Sequence, residues 1–244
     1  MSGHSKWSKI KRQKGATDAK RGKIFTKLGN TIAIAAKNGG EPSMNPSLQL
    51  AVDKAKAANM PNANIEKSIK RGTGELGGDI IEEMLFEGYG PGGIGIIVEV
   101  ASDNRNRVTT YVKTAFSKNG GNLAESGAVA FQFTRKGVIH VKYSGDSEEA
   151  QMVAIEAGAE DIIEEEGELV IYTGMKDLAS VRDKLKDAGL EVDEAELTYA
   201  PNDVVKIEDA NEAKKIVKLM DAIEEIDDVV NTHSNFDIDE DLLT

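Results

Sequence analysis

The stretch that decides the fold runs from Val138 to Thr198: VIHVKY (138–143), EEAQMVAIEA (148–157), DIIEE (161–165), ELVIYT (168–173), KDLASVRDKLKDA (176–188) and LEVDEAELT (190–198). The first, third, fourth and sixth segments read as strands. The second and fifth read as helices, closed by Gly158 and Gly189. Their order is βαββαβ, the ferredoxin-like arrangement, and it needs nothing from elsewhere in the chain.

On the N-terminal side of this unit, Ile80 to Phe86 and Ile94 to Val100 read as strands flanking a glycine-rich turn. Asp103 or Asn104 caps a helix in which Val108, Tyr111, Val112, Ala115 and Phe116 recur at helical spacing, stopped by Gly120-Gly121. Ala128 to Phe133 reads as a further strand. On the C-terminal side, Glu212 to Glu225 reads as a helix with Ile216, Leu219, Met220 and Ile223 inward, followed by a short strand at Val229 to Thr232. Those last two elements cannot bury their apolar faces alone, while the earlier strand-strand-helix-strand piece is short of one helix and one strand. The expectation is an α+β multidomain chain in which residues 134–200 are inserted into a discontinuous, second ferredoxin-like domain made from 79–133 and 201–244. The acidic end, with Asp237, Asp239, Glu240 and Asp241, is expected to be frayed and solvated.

The first 74 residues differ from all this. They carry 15 Lys and Arg against four acids, a net charge of +11, although the whole chain is at −12. Residues 1–16 have no apolar period and read as a basic arm, mobile when unbound. Residues 17–74 read as a small basic domain of three helices. In the first, Ile24, Leu28, Ile32 and Ala35 form an apolar stripe with Phe25 beside them, and Lys20, Lys23 and Lys27 share a neighbouring face. Asn45-Pro46 opens the second and Pro61 ends it. The third places Ile65 and Ile69 inward and Lys67, Lys70 and Arg71 elsewhere. Thr73 to Gly78 is the expected linker.

A division of charge between halves is the signature of a segment that meets a polyanion, carried on a body that does not. The residues proposed to do so are Lys6, Lys9, Lys11, Arg12, Lys14, Lys20, Arg21, Lys23, Lys27, Lys67, Lys70 and Arg71, with phosphate contact measured by a steep loss of affinity in salt. Trp7, set among cations, suits stacking on an unpaired base. Arg105 and Arg107, at a helix start, are candidate secondary phosphate or carboxylate contacts, the alternative being that they are simply exposed. The plainer alternative is a solvated tail pinned by Trp7, but +9 in the first 37 residues favours polyanion contact.

Other chemistry finds little support. The chain has no cysteine, which excludes disulfides, thiolate metal sites and thiol catalysis and suits a reducing cytoplasm. The histidines, His4, His140 and His233, have no metal-ligand spacing, so no metal is expected. Gly88-Tyr89-Gly90-Pro91-Gly92-Gly93 matches GxGxxG by spacing but runs into a strand instead of a helix, so it is a turn and no cofactor is expected. No catalytic constellation or small-molecule site is evident. The longest apolar run near the start, Ile32 to Ala36, is too short for a secretory core or a membrane span, so no membrane partner is expected and the reading is cytoplasmic.

The motifs GHSKW (3–7), AKRGKIFTKL (19–28), NP (45–46), NMP (59–61), RGTG (71–74), EGYGPGG (87–93), SDNRNR (102–107) and GGNL (120–123) resemble the YebC family, whose relatives include the mitochondrial translational activator of cytochrome oxidase subunit one. The resemblance runs over essentially the whole chain and implies three domains, one helical and two α+β. It also implies a non-enzymatic role in gene expression, under two descriptions: DNA-binding transcriptional regulators, and ribosome-associated translation factors that relieve stalling at proline-rich stretches. Nucleic acid, DNA or ribosomal RNA, is the expected partner, and the ribosome itself under the second description. A protein-interaction adaptor is the remaining alternative.

Overall fold

The structure is a computed structural model that describes residues 18–78, 80–165, 167–239 and 242. The expected arm, residues 1–16, lies outside the described residues. In chain order the helical domain comprises α1 (Asp18–Ala36), α2 (Pro46–Ala57) and α3 (Asn62–Gly72). There follow β1 (Glu82–Tyr89), β2 (Gly95–Ser102), α4 (Arg105–Lys118) and β3 (Asn122–Ala124). Next come β4 (Phe133–Lys142), α5 (Ser147–Ala157), β5 (Asp161–Glu165), β6 (Glu168–Thr173), α6 (Leu178–Asp187) and β7 (Glu191–Pro201). The chain closes with β8 (Val205–Ile207), α7 (Ala210–Glu224), β9 (Val229–Ser234) and β10 (Phe236–Ile238). Two compact units result: Thr134–Ala200, and the remainder up to Phe133 together with Pro201 onward.

Among the helices a single asparagine organises two helix ends. The Asn45 side chain accepts from Leu48 N at 3.1 Å, capping α2, and donates to Ala35 O and Gly39 O at 2.8 Å each, satisfying carbonyls at the end of α1. Asn59 takes the left-handed conformation with φ 59°, and Met60 N returns to Ala55 O at 2.9 Å, which ends α2 and turns Met60 into the core. That core is Leu28, Ile32, Leu48, Val52, Ala55, Met60 and Ile65. Gly72 is required where α3 meets α1, since a Cβ there would lie 2.2 Å from Ala33 O. The expected apolar stripe needs one correction: Ile24 is 41% exposed, and α1 turns Ala33 and Ala36 inward because it is packed on two sides. Leu28, Ile32 and Ala36 face the other helices, while Ala33 and Ile34 meet Ile81, Ala101 and Val230 of the α+β portion.

The sheet of this unit has the order β3-β1-β2-β9, with β1, β2 and β9 antiparallel neighbours. Ile96, Val98 and Val100 of β2 pack on one face against Val108, Val112 and Phe116 of α4 and Ile216, Leu219 and Ile223 of α7. The alternate positions, Ile97, Glu99 and Ala101, are buried on the other face, so β2 reads as a continuous apolar run. The glycine-rich stretch is the turn between β1 and β2, with Gly92 and Gly93 at φ 71° and 73°.

Two expectations are overturned. Ala128 to Phe133 is not a strand: Ala130–Gln132 is a short 3-10 turn, and the strand in this region is β3. The reason is Glu87, whose buried carboxylate accepts from Gly127 N, Val129 N and Ala130 N at 2.7 Å each, taking N–H groups that a ladder would need. Tyr89 OH also donates to Ala128 O at 2.6 Å. The acidic end is also more ordered than expected as far as Ile238. There, β10 pairs in parallel with β8, and Phe236 and Ile238, flanking Asp237, are fully buried. Glu240 and Asp241 lie outside the described residues.

The second unit has the sheet order β5-β6-β4-β7, with both β4–β6 and β5–β6 antiparallel. Ile139, Val141, Leu169 and Ile171 are fully buried, and Gly137 admits Leu178 to within 3.0 Å of where a Cβ would stand. Where the chain leaves for this unit and returns from it, Asn202 N donates to Gln132 O at 2.8 Å.

Candidate nucleic-acid interface

The cations singled out in the sequence fall into three groups. Lys6, Lys9, Lys11, Arg12 and Lys14, with Trp7, lie outside the described residues. Lys20 stands in the first turns of α1. Arg21 on α1, Lys67 and Lys70 on α3 and Arg105 in the first turn of α4 are exposed.

The third group has partners within the protein. Lys23 pairs with the Glu225 carboxylate, and its Nζ also reaches Glu225 O at 3.5 Å; Lys27 Nζ donates to Glu224 O at 2.7 Å. Both lysines thus meet the C-terminal end of α7, where the carbonyls of the last turn and the helix dipole present negative potential. The Glu225 hydrogen bond raises the Lys23 pKa, against the opposing effect of desolvation and with help from the charges of Glu225 and Asp227.

Arg71 and Arg107 are joined through Asp103. Arg71 Nη2 lies 3.3 Å from Asp103 Oδ2, and its Nη1 donates to Asn30 Oδ1 at 3.4 Å. Arg107 Nη2 lies 3.2 Å from Asp103 Oδ1 and 3.1 Å from Asp228 Oδ1, and donates to Ser102 Oγ at 3.2 Å. The cap of α4 settles which acid is available for this: Asn104 accepts from Arg107 N at 3.0 Å, leaving Asp103 to bridge two arginines. The Asp228 hydrogen bond, and then its charge, push the Arg107 pKa further up, so the group stays cationic. The side chains of Arg71 and Arg107 nevertheless remain about two-fifths exposed.

The arrangement places Arg71, the Asp103 bridge and Arg107 across the join between the helical domain and the α+β portion, with Lys67, Lys70 and Arg105 on the same flanking elements. Chemically it offers hydrogen-bond donors and fixed positive charge, the requirements for holding phosphates. Sequence reasoning missed Asn30, Asp103, Glu225 and Asp228 as partners. The SDNRNR motif was a signal for Asp103, but Glu225 stands 202 residues from Lys23, with no local signature. Among the described residues no group of three or more His, Cys, Asp or Glu is placed to hold a metal, and no helix is long and apolar enough to cross a membrane. His140 and His233 each meet a carboxylate, Glu168 at 2.5 Å and Glu99 at 3.1 Å, as strand-face residues.

Comparison with known proteins follows the same division of the chain. Residues 5–75 match the model of the TACO1/YebC protein N-terminal domain, and residues 81–236 match that of the TACO1/YebC second and third domain. A probable transcriptional regulatory protein of Halothermothrix orenii is 48% identical over 100% of this chain and 98% of its own length. One of Trichlorobacter lovleyi is 49% identical over 99% and 98%. The crystal structure of a conserved hypothetical protein from Aquifex aeolicus superposes with a TM-score of 0.86 at 44% identity, over 93% of this chain and 94% of that one. With both family models matched in tandem and near full-length relatives at this identity, the chain belongs to the TACO1/YebC family.

Proposed function

We propose that the protein is a non-enzymatic, nucleic-acid-binding regulator of gene expression, and specifically a DNA-binding transcriptional regulator that meets phosphate through its helical domain and basic arm. The observation that carries this is the charge division, +11 on the first 74 residues of a chain at −12. Exposed Arg21, Lys67, Lys70 and Arg105 are consistent with it, and the relatives' names supply the transcriptional role. The binding region is a helical domain of 17–74 after an arm of 1–16. The acidic body is a discontinuous domain of 79–133 plus 201–244 carrying an insert of 134–200. Both are read as ferredoxin-like, a reading supported for the insert by its element order and by a sheet with β4 beside β6 and β7.

A second reading is a ribosome-associated translation factor that binds ribosomal RNA and relieves stalling at proline-rich sequences. It is favoured by the lysine-rich character of the basic surface: direct readout wants Asn, Gln or Arg aimed at base edges, whereas lysine follows phosphates regardless of sequence. Both readings place the protein in the cytoplasm without a small-molecule substrate. Co-sedimentation with ribosomes, set against binding to promoter and scrambled duplexes at physiological salt, tests them. Preference for a promoter without ribosome retention supports the first reading; ribosome retention without duplex preference replaces it with the second; neither outcome leaves a protein-interaction adaptor.

A further inference from the structure

Two lysines of α1, Lys23 and Lys27, are already in contact with negative groups before any ligand arrives. The turn after α7 places Glu224, Glu225, Asp227 and Asp228 within five residues, at a helix end whose last carbonyls are also directed toward α1. Lys23 takes the Glu225 carboxylate, Lys27 takes Glu224 O, and Arg107 takes Asp228. The Glu225 carboxylate with the Glu224 and Glu225 carbonyls presents to α1 what a stretch of phosphates presents: closely spaced oxygen acceptors with net negative charge.

The two ends of α1 are held differently. Past Asn30, Ala33 and Ile34 are sealed against Ile81, Ala101 and Val230, an apolar contact indifferent to salt. Toward the N-terminus the described contacts with the turn are ionic and polar, and in the Lys23–Glu225 pair both side chains are largely solvent-exposed, at 42% and 65%. An exposed pair of this kind gains little over its hydrated partners, so a stronger anion displaces it readily.

Resting on the nucleic-acid reading above, we propose that the turn Glu224–Asp228 is an internal substitute for phosphate: a polyanion engages Lys23 by displacing Glu225, while the apolar seal keeps α1 in place. The exchange is one of side-chain partners and leaves the helix where it is. It sets a threshold. A lone phosphate offers Lys23 nothing better than Glu225, whereas a nucleic acid that contacts several cations at once outcompetes the turn. The turn therefore acts as a selector for dense polyanions over single anions.

The test uses the full chain and the variant Glu225→Gln/Asp227→Asn, with anisotropy measured on a short DNA duplex and on an RNA hairpin. The expected result is binding tighter by about three- to tenfold for two exposed carboxylates removed. Glu125→Gln removes one carboxylate, half the charge removed by the turn variant, from an exposed side chain after β3, at the sheet edge opposite β9, and is expected to change affinity by well under half as much on a logarithmic scale. In a Lys23→Gln background the gain from the turn variant is expected to vanish. Amine-reactive footprinting by mass spectrometry supplies a second readout, with Lys23 labelled faster in the turn variant and protected again when the duplex or hairpin is added. Normal nucleic-acid binding that is equal in wild type and turn variant, or equally raised by Glu125→Gln, overturns the substitution while leaving the nucleic-acid reading intact. Absence of binding by every form removes both.

Discussion

The helical domain and the unit Thr134–Ala200 are opposites in how they use charge. The second unit has 17 acids and seven bases, and its described ion pairs close within it: Lys136 with Glu160 at 3.4 Å, Lys142 with Asp193 at 3.2 Å, His140 with Glu168 at 2.5 Å. The helical domain has the opposite sign, and the ion pairs described for it reach into the neighbouring α+β portion, Arg71 to Asp103 and Lys23 to Glu225. A region that satisfies its charges internally is a self-sufficient body. A region whose cations are satisfied from outside holds them in contacts that another anion can contest.

Backbone packing offers the most severe challenge to this contrast. Gly72→Val forces a side chain into Ala33 O, and about 3 kcal/mol or more of destabilisation is expected, concentrated in α1 and α3. Hydrogen exchange resolves it: loss of protection in the helices with the second unit unchanged supports two independently secured regions, and uniform loss refutes it. Gly137→Val is the reciprocal experiment, since a Cβ there would lie 2.3 Å from Thr173 Oγ1.

Next in size is Glu87→Gln, expected to cost about 2 kcal/mol because a weaker acceptor then faces three N–H groups, that of Val129 buried and those of Gly127 and Ala130 partly so. Burial alone would push the Glu87 carboxyl up, but the N–H groups of Gly127, Val129 and Ala130 outweigh it and hold it below the usual carboxylate range. A folded pKa below the unfolded one gives stabilisation that is fully present above the unfolded value of about 4.3 and is lost as pH falls through the folded value. Urea titrations across the acid range are expected to show a shallower acid limb in the variant.

Asp103→Asn is smaller, about 0.5–1 kcal/mol, since the arginines it bridges are about two-fifths exposed and screened. The loss should shrink in high salt; a salt-independent loss would mean that packing, not charge, joins the two regions. Lys67→Glu/Lys70→Glu is expected to leave stability nearly unchanged, and to lower the salt slope of nucleic-acid binding by about 2. An unchanged slope would remove α3 from the interface.

Much of the architecture was legible because it is written locally. Asn45-Pro46, the periodic Val108, Val112, Ala115 and Phe116, and the glycines after α5 and α6 each announce a boundary or a face within a few residues. What was not legible depended on groups distant in sequence. Glu87 removes a strand some 40 residues downstream by taking its N–H groups. Phe236 and Ile238 were obscured by the acids around them, although their alternation with Asp237 is a strand pattern. At the candidate interface the cations were visible from composition alone. Their partners were not, because a salt bridge between Lys23 and Glu225 leaves no periodicity and no motif for a linear reading to detect.

The hydrogen bonds of Asn202, from N to Gln132 O and from Nδ2 to Phe131 O, bear on how such a gene is built. Because the chain leaves and returns at adjacent points, a coding segment for residues 134–200 can be lengthened, exchanged or excised with only a short turn needed to rejoin the host. Natural selection can therefore vary the inserted unit 134–200 as a cassette, leaving the residues of the basic helices and their docking turn untouched.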